Sequence, residues 1–316
     1  MAERRAWVGE AFGLRVRSEV ELPGLSPAPE SPPFPGGRTV SLRRGQVPTP
    51  VGDGERLQEW SHPDGSRAVT IERHPLAGYR IDLDGTGVFG LTRDGSDAVC
   101  QPADPSGWQW KRYLIGGILP FSAVLQGLEV FHASAVAFDG RAVALAGGSG
   151  LGKSTLALNM HLGGAGFVAD DSIAVEEGEE GPIVHPASAT AKVRQQALDL
   201  LAEDGERRLR EVVSEDEHET RFLVEPVRRP LPLAAVCILE PGDEPGGLEV
   251  SEGSLQPWEL LGSTFNTWIQ DPARLRAQLD ICGRIAERVP SLRVRVGPRP
   301  GPDAAATLAD RLRQEL

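Results

Sequence analysis

Residues Gly147-Gly148-Ser149-Gly150-Leu151-Gly152-Lys153-Ser154-Thr155 match the pattern G-x-x-x-x-G-K-S/T. A stretch of this kind constrains its neighbours, because it works only as the turn between a buried strand and a helix. The apolar run Ala142 to Ala146 enters it as such a strand would, and Thr155 to Met160 leaves it at helical spacing. The residue types suit phosphate. Glycines let backbone N–H groups curl around phosphate oxygens, and a helix N-terminus adds partial positive charge. Lys153 can reach the β and γ phosphates, and Ser154 can ligate Mg²⁺. The alternative is a glycine-rich turn with an accidental Gly-Lys-Ser; the flanking strand and helix favour a nucleoside triphosphate site over it.

Two further features extend the site. Gly163, Gly164 and Gly166 end the helix, and Phe167 to Ala169 then forms a short strand closing on Asp170 and Asp171. A helix of about three turns and a short link have the length of a right-handed crossover to a neighbouring parallel strand. That would bring both carboxylates beside the loop, since ligands in such sheets sit at the carboxyl ends of the strands. One of the two carboxylates could hold Mg²⁺, directly or through water, and the other could accept a proton from an attacking hydroxyl. The plain alternative is an Asp-Asp turn. Upstream, Glu129 to Phe138 is expected as one strand carrying His132, joined at Asp139-Gly140 to the strand that feeds the loop. On residue type alone His132 would be a hydrogen-bonded core histidine.

The chain of 316 residues, 40% hydrophobic, suffices for one large domain or two ordinary ones. We expect a small mainly-β amino-terminal module over residues 1–105 and a catalytic α/β domain over 106–316. In the first part, strands are expected at Phe12–Ser18, Arg38–Leu42, Ala68–Arg73, Tyr79–Leu83 and Gly87–Leu91, paired antiparallel, with a proline-rich loop from Leu22 to Gly37. Between Pro105 and Gly127 one or two helices are expected, broken near Gly116-Gly117 and Pro120. Downstream lie an acidic loop at residues 176–180, a helix from Ala191 to Leu209, a buried strand from Leu233, helices at Pro257–Gln270 and Pro272–Arg288, a strand at Ser291–Val296 and a last helix after Pro302. Lys192, Arg194 and Arg221 could close on phosphates but are weighed as ordinary surface cations; His185 is expected in a loop.

A net charge of -12 argues against nucleic-acid or anionic-membrane partners. Cys100, Cys237 and Cys282 are too far apart for a metal-ligand cluster and are expected as buried thiols. The first residues lack the apolar segment of a signal peptide, and Tyr113 to Leu128 falls short of a membrane span. The expected location is the cytoplasm.

From Phe131 to Asp171 the order His-x-Ser-x-Val, hairpin, G-x-S-G-x-G-K-S-T, short helix and Val-Ala-Asp-Asp resembles the catalytic domain of HPr kinase/phosphorylase and its relatives, a P-loop-containing, PEP carboxykinase-like fold. His132 lies 21 residues before Lys153 and Asp171 lies 18 after it, intervals similar to those of that family's catalytic residues. The resemblance implies a serine or threonine kinase using Mg²⁺-ATP. It gives Asp171 the role of base, Lys153 and Ser154 the phosphate and metal, and His132 a contact with the transferred phosphate or the acceptor. It also implies self-assembly into a homo-oligomer. The family's downstream Glu-Ile-Arg-Gly-Leu-Gly-Ile is replaced by Val184 to Arg194, so no metal-binding Glu carries over. The amino-terminal part resembles instead HPr-kinase-like proteins, some encoded with ribosomally made peptides such as lasso precursors. The expected acceptor is therefore a hydroxyl on a peptide or small protein. A small-molecule hydroxyl and a non-catalytic nucleotide-sensing role are the alternatives.

Overall fold

The computed structural model describes residues 6–28, 37–50, 52–202, 209, 211–265 and 267–316. It is a mixed α/β protein with two large sheets. The chain divides into two compact units, Met1–Leu128 with Asn266–Asp271, and Glu129–Phe265 with Pro272–Leu316. The helical segment after residue 105 therefore goes with the first unit.

The first unit holds strands β1 (Trp7–Ala11), β2 (Leu14–Ser18), β3 (Ser26–Pro27), β4 (Thr39–Arg44), β5 (Glu55–Ser61), β6 (Arg67–His74), β7 (Gly78–Leu83), β8 (Gly87–Leu91) and β9 (Asp97–Pro102). They form one sheet in the order β3-β1-β2-β4-β9-β8-β7-β6-β5. The strand expected from Phe12 starts at Leu14, because Phe12 and Gly13 take φ of 56° and 73° and turn β1 back onto β2. The sheet is not wholly antiparallel: β4 pairs parallel with both β2 and β9. Half of the expected proline-rich loop, residues 29–36, lies outside the described residues, and within the rest Ser26–Pro27 pairs with β1 as β3.

Helices α1 (Gln109–Tyr113) and α2 (Leu119–Leu125) are joined by a π-helical stretch, Leu114–Ile118, so the expected break at Gly116-Gly117 is a widened turn instead. Pro120 sits in the first turn of α2, where its missing N–H costs little. Phe121 of α2 meets Trp268 edge-on at 4.7 Å, which ties the returning segment to this unit.

The second unit contains β10 (Glu129–Phe131), β11 (Ser134–Phe138), β12 (Arg141–Gly147), α3 (Lys153–Leu162), β13 (Gly166–Ala169), β14 (Ile173–Gly178), β15 (Gly181–His185), β16 (Thr190–Arg194), a 3₁₀ turn (Gln195–Leu200), β17 (Glu211–Glu215), β18 (Glu219–Leu223) and β19 (Leu231–Pro241). It continues with β20 (Leu248–Gly253), α4 (Pro257–Leu261), α5 (Pro272–Arg288), β21 (Ser291–Val296) and α6 (Pro302–Glu315). The main sheet runs β10-β14-β15-β19-β12-β11-β13, with β21 also on β19 and β20 beyond it. Strands β16, β18 and β17 form a separate small sheet.

Several expectations change here. The Asp139-Gly140 hairpin forms, with φ of 48° and 78° and Phe138 opposite Arg141. Residues 129–138 are two strands rather than one, however: β10 pairs with β14, whereas β11 pairs with β12 and β13. Strand β13 is not the neighbour of β12. Strand β11 lies between them and is antiparallel to both, so β12 and β13 still run the same way and end on the same side. Residues 190–200 are β16 and a 3₁₀ turn, not the start of a helix, and 203–208 lie outside the described residues. The helix from Pro257 stops at Leu261, because the chain then pairs Thr264 with Phe131. The acidic stretch at 176–180 begins within β14, and His185 is a buried residue of β15 whose ring meets Glu176 Oε1 at 2.7 Å.

Helix α3 has ten residues, too short to be stable alone in water. It is apolar on two sides. Leu156, Ala157 and Met160 pack with β12, β19 and α6, while Leu158 and Leu162 pack with Phe167, Val193 and Phe222 under the small sheet. Each of the larger side chains contributes about 1.5–3 kcal/mol by burial, which is what fixes the helix N-terminus in place. The three cysteines are buried and free; burial pushes the Cys100 thiol up to about 11 and those of Cys237 and Cys282 to about 12, so none is a ready thiolate. Among the described residues no helix is long and apolar enough to cross a membrane.

Candidate functional site

The strand–loop–helix context expected from the sequence is present: β12 ends at Gly147 and α3 begins at Lys153. Two glycines are required by geometry. Gly147 has φ 139°, and a Cβ there would lie 2.6 Å from the Leu239 carbonyl oxygen; Gly152 has φ 84°, and its Cβ would lie 2.5 Å from Pro300 Cγ. The Lys153 ammonium donates to the carbonyls of Gly147 at 2.8 Å and Gly148 at 3.0 Å, bracing the loop. Burial lowers its pKa, opposed by the charges of Asp171 and Asp170.

Asp170 and Asp171 follow β13 with different partners, and Asp171 takes a left-handed φ of 65°, which Asp tolerates better than most residues. Asp170 turns inward. Its Oδ1 accepts from the Ser134 hydroxyl at 2.8 Å and its Oδ2 from the Lys192 backbone N–H at 2.9 Å, with the Ser154 hydroxyl as a further donor. Burial and the neighbouring Asp171 charge raise its pKa against those hydrogen bonds. Asp171 turns toward the loop. Both its oxygens accept from Lys192 Nζ at 2.6 Å, and Arg221 Nη2 stands 3.8 Å away. Burial would push its carboxyl up, but Lys192, Arg221 and His132 outweigh it and hold the pKa below the usual value.

A cavity of about 390 Å³ lies between these groups. Loop residues Ser149, Gly150, Gly152, Lys153, Ser154 and Thr155 form one wall, and Asp171, His132, Lys192 and Arg194 another. Gly147, Gly148, Leu151 and Asp170 do not line it. Gly147 and Gly148 brace Lys153, and Asp170 lies behind Ser154. His132 falls in the break between β10 and β11 and is exposed, so it is neither a core histidine nor part of the strand paired with β12. Its backbone N–H donates to the Ser263 carbonyl, which holds the break open.

Lys192 and Arg194 are not ordinary surface cations. On β16 they alternate with Ala191 and Val193, whose side chains enter the core, so the two cations share the outer face; Lys192 is opposite Arg221 of β18. Expecting a helix at residues 191–209 concealed this period of two. Ser134, which anchors Asp170, stood in the His-x-Ser pattern without an assigned role. Arg299, on the far wall, carried no local signal; it donates to the Gln196 carbonyl at 3.1 Å and to Asp199.

No protein-family model matches the chain, and no curated protein does. Among solved structures, the Hpr(Ser) kinase/phosphatase from Coxiella burnetii aligns over 58% of this chain and 94% of its own, at 14% identity and a TM-score of 0.32. This is a weak, distant structural neighbour, and a likeness of that grade carries no argument about activity.

Proposed function

We propose that the chain is an ATP-dependent kinase that transfers the γ-phosphoryl group to a hydroxyl, that of Ser or Thr in a peptide or small protein. The observation that supports it is the sharing of one cavity by Lys153, Ser154 and the Asp171 carboxylate. In this reading the backbone N–H groups of Gly148 to Ser154 and the Lys153 ammonium hold the phosphates. Asp171 takes the proton from the acceptor hydroxyl, the acceptor oxygen bonds to the γ phosphorus, and the bond from phosphorus to the bridging β–γ oxygen breaks. The electron pair of that bond leaves with ADP. His132 faces the same space and contacts the moving phosphoryl group or the acceptor.

Among the described residues no group of three or more His, Cys, Asp or Glu could hold a metal on its own. The oxygens present beside Lys153 are the Ser154 hydroxyl and the Asp170 carboxylate that accepts from it, a set that fits Mg²⁺ delivered by the nucleotide, which keeps several waters and needs one or two protein oxygens besides phosphate. Ser154 would hold it, with Asp170 behind that hydroxyl acting through it or through water, and the ion would neutralise charge on the phosphates. Incubation with γ-labelled ATP, Mg²⁺ and a set of Ser- and Thr-containing peptides tests the proposal. Label is expected on an acceptor hydroxyl; nucleotide binding without transfer across peptide and small-molecule hydroxyls would instead establish a nucleotide sensor.

A further inference from the structure

Lys192 occupies a position that conflicts with the role given to Asp171. Its ammonium lies 2.6 Å from both carboxylate oxygens, so the Asp171 side chain is capped on each of the atoms that would receive a proton. Each oxygen keeps a second lone pair, but an ammonium on both stabilises the ionised form and leaves Asp171 a weaker base than it becomes when the lysine leaves. The backbone of Lys192 cannot move far, being fixed by the Asp170 Oδ2 bond and by its register with Arg221. Its side chain is a flexible four-carbon stem, and it lines the same cavity as Lys153 and Ser154. Arg221 differs: its Nε is held by Glu219 at 3.0 Å, and its Nη2 stays 3.8 Å from Asp171, available to steady the carboxylate when Lys192 leaves.

We propose that Lys192 is a terminal-phosphate reader: it caps Asp171 until a triphosphate seats on the loop, then transfers its ammonium to the γ-phosphate and uncaps the base. This rests on the kinase reading above. A diphosphate has no group at that end of the cavity, so it leaves Lys192 on Asp171. The same lysine therefore makes the site prefer the triphosphate and couples exposure of the base to a complete nucleotide, which limits futile proton transfer when ADP is bound. The position suits a lysine specifically. A compact ammonium can exchange one oxygen pair for another by side-chain rotation, whereas a planar guanidinium is better suited to a fixed bidentate pair.

The test compares the affinities of the full-length protein for ADP and for the βγ-imido analogue of ATP, each with Mg²⁺, by calorimetric titration. Wild type is expected to favour the triphosphate by roughly 10- to 100-fold, the scale of a charge-assisted contact. Lys192→Met is expected to bring the two affinities within about threefold by weakening the triphosphate alone, and Lys192→Arg to restore part of the preference. Melting curves check folding, and Lys192→Gln serves if Met perturbs it. An unchanged preference in the Met or Gln variant, or equal weakening of both ligands, overturns the proposal. So does a wild type that binds both nucleotides equally, which leaves the phosphate-loop reading standing. A wild type that binds neither nucleotide removes the kinase reading as well.

Discussion

Asp171→Asn is expected to lower the rate of phosphoryl transfer by about 10²- to 10⁴-fold, the range supplied by a positioned general base, while leaving nucleotide affinity equal or slightly higher. The substitution is unusually clean at this position. Asn accepts the left-handed φ of 65° as readily as Asp, so the turn that separates the two carboxylates survives. The amide oxygen can still accept one bond from Lys192, and the removal of a negative charge favours phosphates in the same cavity. Single-turnover kinetics and a binding titration check the two parts separately. If Asp171 served only as the ion partner of Lys192 and Arg221, the variant would melt at lower temperature without a matching loss of rate.

Lys153→Met is expected to have the larger effect on binding. The side chain is 7% exposed, and its ammonium has three donors, two of them on the carbonyls of Gly147 and Gly148. A phosphate oxygen can take the third directly or displace one of the loop carbonyls. Loss of that buried charge-assisted contact should weaken ATP roughly 10- to 100-fold and slow transfer by a further 10²-fold or so, as removal of a preorganised donor at developing charge does elsewhere. Calorimetric titration with ATP and the transfer rate at saturation measure both. An unchanged affinity would mean that phosphate does not seat on this loop.

The parts of this site legible in the sequence were those written in local chemistry. The Gly-Lys-Ser loop, the Asp139-Gly140 turn and the strand before Asp170 each follow from residue types within a few positions of one another. Their spatial relation came out correctly for an incomplete reason. Asp170 and Asp171 reach the loop side because β12 and β13 run the same way, but across β11 rather than as neighbours. Pairing of that kind is decided by long-range burial, which no local pattern reports.

His132 shows the same limit. The run from Glu129 to Phe138 is apolar enough for one strand, yet the contacts of Phe131 with Thr264 and of His132 with Ser263 interrupt it, 131 or more residues away in sequence. The cations were misjudged for a different reason. Ala191, Lys192, Val193 and Arg194 alternate as a half-buried strand should, but four residues are too few to outweigh the helix-forming Gln, Ala and Leu that follow, which form only a 3₁₀ turn. Lys192, Arg194 and Arg299 were therefore the least visible part of the site.

On the proposed reading this cavity holds a nucleoside triphosphate with its terminal phosphate at Asp171. A crystal structure of the protein with Mg²⁺ and the βγ-imido analogue of ATP tests it most directly. The β- and γ-phosphates are expected within hydrogen-bond distance of Lys153 Nζ and the loop N–H groups, and the γ-phosphate beside Asp171 with Lys192 Nζ turned onto it. Phosphates bound elsewhere, or a γ-phosphate pointing away from Asp171 toward Arg299, would contradict it.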